Sequence, residues 1–458
     1  MNKNLKSLLA IMLALVLVLA ACGNSSEPTT PEDPAETGET GETDEPTEGE
    51  EPAAELKGEI SVQAEEGWVE YYQKAIDKIV ASNPEAKINI VTQGSFDHLG
   101  VINSTDATNA DVADVFALPA DQFTSFADND VLAALDAPAM AERLGGFDDY
   151  DNGLGGNLKV GEDYLAFPFN IETLVTFVNK ANAEAAGLDS TQPIEVTEQT
   201  DPATVLLPLF DAWYGVAPNN AGGIELLAQD GESFMSTYAG TYEELTADQK
   251  AVFDAIYGYW KLNNDAGTSL FDVEAGWAYI DEAFKTGGNG VIRLGGPWDA
   301  VTFQEQAGEG NLEIYPIGQI TIGGKPLTHW QGGWSLAVNS RIEEDADKMA
   351  LATALIEELV NPENAIDLYK ATGKILENVT ADVYEGSELS DTDKAVIKNV
   401  LESYSVSPAR PLYKEYGNVW DTWKNAVLSW NSVKPADAAA AYQELNASFT
   451  SMMQQIGQ

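Results

Sequence analysis

Cysteine and histidine are almost absent from this chain of 458 residues. Cys22 is the only cysteine, and the two histidines, His98 and His329, lie far apart in the sequence. One cysteine can form neither an intrachain disulfide nor a cysteine-based metal cluster. The chain also lacks a Gly-x-Ser-x-Gly nucleophile elbow, a P-loop and a dinucleotide-binding glycine motif. We therefore expect no catalytic residue, no cofactor and no metal site.

Basic residues are scarce as well. The chain has 24 Lys and Arg against 74 Asp and Glu, which gives a formal net charge of −50. Such a surface repels the phosphates of nucleic acids and the headgroups of anionic membranes, so nucleic-acid binding is excluded. The acidic residues are spread along the whole chain, which favours adaptation to a salty habitat over recognition of a cationic ligand.

Long apolar runs are missing except at the start. The run Leu8–Ala21 follows two lysines, Lys3 and Lys6, and is shorter than the roughly 20 residues of a membrane-spanning helix. This pattern is typical of an export signal, so we expect a signal peptide over 1–21. Its end, Leu19-Ala20-Ala21-Cys22, resembles a bacterial lipobox, which implies a lipidated (palmitate-bearing) Cys22. The alternative is an ordinary secretory signal with an incidental cysteine.

The segment after the signal has no residue suited to a core. Residues 23–55 contain twelve acidic residues but no basic, aromatic, Val, Ile, Leu or Met residue. A segment of this composition cannot bury apolar surface, and its like charges extend it. We therefore expect residues 22–57 to form a lipidated, disordered acidic tether.

The remaining residues alternate between strand and helix patterns. An alternating strand at Glu59–Val62 is followed by a helical stripe over Tyr72–Val80 and a second strand at Lys87–Val91. This β-α-β order indicates an α/β fold. Later in the chain, apolar runs predict two more strands at Tyr164–Pro168 and Leu174–Val178, separated by a connection over Phe169–Glu172. About 400 residues exceed the span of one hydrophobic core, which predicts two lobes.

Ten tryptophans make the chain rich in this residue. Trp260, Trp423 and Trp430 lie at helical spacings, which favours a place in the core. Trp298 follows Gly295-Gly296-Pro297 at the predicted end of a strand, where ligand-facing residues of α/β proteins often lie. Sugar rings pack on aromatic planes and their hydroxyls bind carboxylates, so an acidic, tryptophan-rich cleft suits a carbohydrate.

Four segments, in this order, carry a resemblance to a known family. They are Asp114–Leu132, Val160–Lys180, Ala283–Trp298 and Gly333–Asn339. With the export signal and the tether, they resemble the extracellular solute-binding proteins of Gram-positive ABC importers, in the maltose/maltodextrin-binding branch. The resemblance implies a two-lobed periplasmic-binding-protein-like α/β fold, with a ligand cleft between the lobes and three hinge crossings.

The resemblance also implies an arrangement of lobes and a role. Lobe 1 would comprise 58–170 and 333–378, and lobe 2 would comprise 171–332 and 379–458. A monomer anchored on the outer face of the cell membrane would close around an oligosaccharide and deliver it to the membrane subunits of an ABC permease. No bond would be made or broken.

Eight ligand-binding residues follow from the family pattern. The resemblance assigns polar contacts with sugar hydroxyls to Gln63, Glu65, Glu66, Asp121 and Glu172, and stacking on sugar rings to Trp277, Trp298 and Trp420. The sequence departs from the pattern at three positions: Leu118 replaces a stacking Trp, Gln122 replaces an Arg, and Glu66 replaces a Lys. The pattern thus predicts a carbohydrate ligand without naming the sugar.

Two other classes of function stay open at this point. A secreted glycoside hydrolase needs two carboxylates at a set separation, which sequence spacing cannot show in a chain with 74 acidic residues. A binding protein for a peptide or a polyamine would share the same fold.

The net charge generates the first testable prediction. Salt screens the repulsion between like charges over about 10 Å at 0.1 M, so the melting temperature should rise clearly between low salt and molar NaCl. Calorimetric melts in an osmotically matched sucrose series provide the control, because sucrose does not screen charge. A flat or falling melting temperature in NaCl would contradict the prediction.

Overall fold

The computed structural model describes residues 55–147, 149–231 and 233–457. The predicted signal peptide, the Cys22 lipidation site and nearly all of the predicted tether lie outside the described residues. Within the described residues, no helix has the length and apolar character that crossing a membrane requires.

Strands and helices alternate along most of the described chain. The strands are β1 (Gly58–Ala64), β2 (Ala86–Thr92), β3 (Val115–Pro119), β4 (Lys159–Val160), β5 (Asp163–Tyr164), β6 (Phe167–Glu172), β7 (Val175–Asn179), β8 (Ile194–Glu195), β9 (Val205–Leu206), β10 (Ala228–Asp230), β11 (Ser233–Met235), β12 (Ile292–Gly295), β13 (Leu312–Pro316), β14 (Ile320–Ile322), β15 (Lys325–Pro326) and β16 (Gly332–Val338). The α-helices are α1 (Val69–Ser82), α2 (Ser95–Ser104), α3 (Phe123–Asp128), α4 (Ala137–Leu144), α5 (Lys180–Ala186), α6 (Ala212–Gly222), α7 (Ala247–Ala266), α8 (Gly276–Phe284), α9 (Ala300–Ala307), α10 (Ala346–Leu359), α11 (Ala365–Thr372), α12 (Ala381–Glu385), α13 (Asp391–Ser405), α14 (Gly417–Val433) and α15 (Ala438–Ile456).

Two sheets form the centres of two lobes. The first sheet has the order β2-β1-β3-β16-β6, and the second has the order β13-β7-β12-β9. In the first sheet β1 runs parallel to β2 and β3, whereas β16 runs antiparallel to β3 and β6. The predicted β-α-β unit at the start of the chain is confirmed as β1-α1-β2. The fold is therefore a two-lobed α/β fold, as predicted.

The chain passes between the two sheets three times. Only Thr173 and Leu174 separate β6 of the first sheet from β7 of the second. The chain returns between β15 and β16, and it leaves again between α11, which packs on α1, and α13, which packs on β13. The residue boundaries proposed above for the two lobes stay a prediction.

Strand β6 differs from its sequence-based expectation. The sequence predicts a strand over Tyr164–Pro168 and a connection over Phe169–Glu172, but the strand runs from Phe167 to Glu172. The reason is tertiary, because β16 pairs with β6 as far as Glu172, across an irregularity between Trp334 and Ser335. The pairing makes Glu172 the last residue of a strand instead of a loop residue.

The core of the second lobe is built on aromatic rings from α7, α14 and α15. Trp260, Trp423 and Trp430 are all at most 2% exposed, which confirms their predicted core positions. The Trp423 indole nitrogen donates to the carbonyl oxygen of Leu209 at 2.9 Å, and its ring packs directly against Gly215. A Cβ on Gly215 would lie 2.4 Å from that nitrogen, so α6 approaches α14 closely only because residue 215 is glycine.

Trp423 and Trp420 form a matched pair for testing this core. Trp423→Ala should lower the free energy of unfolding by about 3–5 kcal/mol, because it leaves a large cavity in a packed core. Trp420 lies one turn earlier on α14 and is partly exposed, so Trp420→Ala should have a much smaller effect. Urea denaturation measures both values. An equal loss in the two variants would contradict the assignment of Trp423 to the core and of Trp420 to a partly exposed position outside it.

Candidate functional site

A cleft of about 930 Å³ receives side chains from the elements of both sheets. Its lining includes Trp68, Phe96 and Trp334 from the side of the first sheet, and Phe210, Trp213, Trp277, Trp298 and Trp420 from the side of the second. Six of the ten tryptophans therefore line one cleft. This volume and this mixture of aromatic and polar groups are typical of sites for small molecules.

Three of the aromatic residues are the predicted stacking residues. Trp298 lies in a short 3-10 turn just after β12, and its side chain is 48% exposed. The Asp299 carboxylate accepts the Gly296 N–H at 2.9 Å and so holds this turn in place. Trp277 lies in the first turn of α8 and meets Phe210 edge to face, with ring centroids 5.3 Å apart.

Trp420 belongs to an aromatic cluster at the start of α14. Its ring makes edge contacts with Tyr416, at 5.4 Å between centroids, and with Trp330, at 6.1 Å. Edge-to-face contacts of this kind restrict the orientation of a ring. Tyr416 and Trp330 do not line the cleft themselves, but their contacts restrict the orientation of the Trp420 ring that does.

Two predicted carboxylates lie in the cleft with cationic neighbours. Glu172 ends β6 and is buried; its burial raises the pKa of its carboxyl, an effect that the positive charges of Lys374 and Arg410 oppose. Asp121 follows β3 and forms an ion pair with Arg410, with 2.8 Å between Oδ2 and Nη2. Burying a carboxylate is tolerated when a cation compensates it.

The sequence predicts Gln63, Glu65 and Glu66 in the loop between the first strand and the first helix, but Gln63 lies within β1 because that strand extends to Ala64. Glu65 lines the cleft, and its carboxylate accepts a hydrogen bond from the Ser95 hydroxyl at 2.7 Å. Glu66 is exposed and does not line the cleft. Gln63 is fully buried, and its side-chain amide donates to the Gln93 carbonyl and accepts from the Ala117 N–H.

The structure thus brings six of the eight predicted residues together. Gln63 does not line the cleft. Its amide group instead forms hydrogen bonds with residues that follow β2 and with β3, so the side chain joins three segments of the first lobe. The six that share the cleft are Glu65, Asp121, Glu172, Trp277, Trp298 and Trp420. Their contacts with a ligand stay a prediction.

Sequence reasoning missed the cations of the cleft, which are Lys374, Arg410 and Lys424. Arg410 is one of only four arginines in the chain, and two prolines, Pro408 and Pro411, lie beside it. Its rarity and its rigid backbone could have indicated a functional residue from the sequence. Lys374 follows Gly373, the left-handed residue that ends α11, and nothing in the local sequence distinguishes it from a surface lysine.

Arg410 is held between a carboxylate and aromatic rings. Besides its ion pair with Asp121, its guanidinium carbon lies 4.8 Å from the centre of the Trp213 ring. Trp213 in turn packs on His329, whose Nε2 lies 2.9 Å from the Trp213 carbonyl oxygen. Burial lowers the pKa of His329 to about 3, so this imidazole is neutral at physiological pH and does not add charge to the cleft.

Lys374 has an aromatic environment of its own. Its ammonium nitrogen lies 5.0 Å from the ring centre of Trp68, 5.1 Å from that of Phe169 and 4.8 Å from that of Trp334. Burial lowers the pKa of this ammonium to about 8, against the attraction of Glu172 and Glu65. The cleft therefore offers flat apolar faces together with fixed hydrogen-bond donors and acceptors.

Solved structures with the same fold come from several bacteria. The maltose-binding periplasmic protein MalE of Listeria monocytogenes, in complex with maltose, superposes with a TM-score of 0.65 at 17% identity, over 87% of this chain and 98% of that one. MalX of Streptococcus pneumoniae, in complex with maltopentaose, gives a TM-score of 0.64 at 18% identity, over 86% and 99% of the two chains. The GacH receptor of Streptomyces glaucescens, described unliganded and with acarbose, gives a TM-score of 0.63 at 17% identity, over 87% of this chain and 99% of that one.

Sequence comparison gives the family. No curated protein matches the sequence. The family model described as bacterial extracellular solute-binding protein matches residues 74–399, which is more than two thirds of the chain. That match spans β6, most of the first sheet and the cleft residues from Asp121 to Lys374. The chain therefore belongs to the family of bacterial extracellular solute-binding proteins.

Proposed function

We propose that this protein is the substrate-binding receptor of an ABC importer, that it captures an oligosaccharide and that it catalyses no reaction. The observation that carries the proposal is the lining of the cleft, where six tryptophans alternate with charged hydrogen-bonding groups. The sugar complexes among the structurally similar proteins support the same ligand class.

The chemistry of a sugar matches this lining. Each pyranose ring has C–H faces that pack on aromatic planes and a rim of hydroxyls that both donate and accept hydrogen bonds. Trp277, Trp298 and Trp420 supply planes on one side, and Glu172, Asp121 and Glu65 supply acceptors on the other. Several planes in one cleft suit a chain of sugar units better than a single ring.

Closure of the lobes would trap the ligand. A ligand that contacts both walls stabilises the closed form more than the open form, which is the condition for driving a hinge motion. The connection Thr173–Leu174 directly follows Glu172, so a contact with this carboxylate is made beside a hinge segment. The closed form would then dock on the permease.

The cations in the cleft argue against a polyamine ligand. Aromatic faces attract cations, but here Lys374 already lies over Trp68 and Trp334, and Arg410 lies over Trp213. A cationic ligand would be repelled from the faces that could bind it.

A glycoside hydrolase is also disfavoured. It needs one carboxylic acid to protonate the leaving group and a second, free carboxylate on the other side of the bond. Asp121 is engaged by Arg410, and Glu172 lies buried at the end of a strand.

Mutation of the proposed stacking residues tests the ligand class. Calorimetric titration with maltose, maltotetraose and maltopentaose should detect binding, and Trp298→Ala should weaken it at least about tenfold, because aromatic contacts contribute about 0.5–1.5 kcal/mol beyond the buried area. Trp277→Ala and Trp420→Ala should behave alike, and Glu172→Ala should weaken binding as much or more because a charged acceptor is lost.

Val301→Ala is the matched control for Trp298→Ala. Val301 is 71% exposed on α9, just after the Trp298 turn, and does not line the cleft. Wild-type affinity in Trp298→Ala, or release of reducing ends from the oligosaccharides, would contradict the proposal; the second result would favour the hydrolase.

We also propose that Cys22 carries the lipid that anchors the protein to the outer face of the membrane. The lipobox and the uniqueness of this cysteine support the proposal. Cys22→Ser should move the protein from the membrane fraction to the medium and leave its sugar affinity unchanged, as cell fractionation and titration would measure. Retention of Cys22→Ser on membranes after a salt wash would contradict it.

A further inference from the structure

Lys374 carries a charge that the protein itself leaves without a partner. The residue is only 9% exposed, yet within the described part of the chain its Nζ forms neither an ion pair nor a hydrogen bond. It lines the cleft. Its Nζ is not among the fully enclosed polar atoms without a partner, so the three N–H donors of the ammonium are accessible from the cleft and can bind acceptors of a ligand there.

The surrounding rings hold the ammonium without satisfying it. Trp68, Phe169 and Trp334 come from three separate segments of the first lobe and lie about equally far from Nζ, at 4.8–5.1 Å. Ring faces attract a cation but take no N–H hydrogen bond of ordinary strength. The arrangement thus fixes the position of Nζ and leaves its donors available to the cleft.

Two carboxylates stand near Lys374 but beyond ion-pair distance. The negative charges of Glu172 on β6 and of Glu65 after β1 favour the protonated form of Lys374, although neither carboxylate lies within 4.0 Å of its nitrogen. The other charged groups of this wall are Asp121 and Arg410, which are paired with each other. The Lys374 ammonium, a donor, and the Glu172 carboxylate, an acceptor, therefore line the same part of the cleft without contacting each other.

Only some ligand groups fit such a gap. A carboxylate would accept from Lys374 but would be repelled by Glu172, and an amine would be repelled by Lys374. Two adjacent hydroxyls satisfy both, because one oxygen accepts from the ammonium while the neighbouring O–H donates to the carboxylate.

We propose that Lys374 binds the sugar directly, together with Glu172, and selects a neutral ligand that presents two adjacent free hydroxyls. This assignment rests on the proposed function and names a specificity-determining residue within it. Lys374 donates to one hydroxyl, Glu172 accepts from the next, and the aromatic rings keep the ammonium in place between binding events.

The contact makes binding depend on pH. Burial lowers the pKa of Lys374 to about 8 in the free protein. A ligand that accepts from the ammonium favours the protonated form and raises this pKa, so binding takes up a proton. Affinity should be full below about pH 8 and fall above it, whereas His329, with a pKa of about 3, stays neutral throughout.

Titration of maltotetraose into wild type, Lys374→Met, Lys374→Arg and Lys398→Met tests the assignment. Lys374→Met should weaken binding roughly tenfold or more near neutral pH. Lys398 is an exposed lysine of α13 that does not line the cleft, so Lys398→Met controls for the loss of one positive charge. Melting curves of each variant establish that it is folded.

The pH profile separates a ligand contact from a structural role. Wild-type affinity should be lower at about pH 9.5 than at about pH 7, with the fall beginning near pH 8, and Lys374→Arg should lose this fall because arginine stays charged. Calorimetry in two buffers of different ionisation enthalpy should show proton uptake near pH 8 in the wild type and none in either Lys374 variant.

The outcomes are distinguishable. Wild type that binds neither maltotetraose nor any other neutral oligosaccharide overturns the proposed function and this assignment with it. Wild type that binds while Lys374→Met binds equally well, or while Lys374→Arg keeps the alkaline fall, overturns the assignment alone. Tighter binding of an oligogalacturonate than of maltotetraose overturns the selection of a neutral ligand.

Discussion

The antiparallel pairing of β16 with β6 is the constraint on which the cleft depends. It extends β6 to Glu172, and it sets Trp334 of β16 opposite Asn170. Gly333 permits this approach, since a Cβ there would lie 2.3 Å from the Asn170 carbonyl oxygen. On its other side, Ile171 donates its N–H to the Ile375 carbonyl at 2.9 Å, which brings in the segment that carries Lys374. One pair of strands therefore assembles an acceptor, an aromatic ring and a cation from distant parts of the chain.

Charge is distributed unevenly between the surface and this cleft. The chain has about three acidic residues for each basic one, yet the cleft holds three cations, and two of them are buried beside carboxylates. Arg410 neutralises Asp121 directly, while Lys374 compensates Glu172 from a distance. Burial raises the pKa of the Glu172 carboxyl, and the positive charges of Lys374 and Arg410 oppose that rise. The acidity of the whole chain therefore says little about the ligand.

Sequence patterns predicted those structural features that are determined by residues close together in the chain. The β1-α1-β2 unit, the buried Trp423 and the position of Trp298 after β12 followed from periodicity and from the glycines and proline of one turn. The end of β6 and the place of Lys374 did not, because they depend on contacts between segments distant in the sequence: Glu172 pairs with Gly332, and Ile171 bonds to Ile375. The resemblance to sugar receptors led to Glu172 but placed a cation at position 66, where this chain has Glu66; Lys374 supplies a cation to the cleft from a different segment.

The tryptophan lining has a consequence for how the protein can be observed. Indole emission shifts to shorter wavelength when water leaves the ring, and Trp298 is half exposed before any ligand or lobe covers it. Trp260, Trp423 and Trp430 are buried already and would contribute a nearly constant background. If the ligand covers Trp298 as proposed, the emission of this residue would report occupancy without a dye and without a label on the single cysteine.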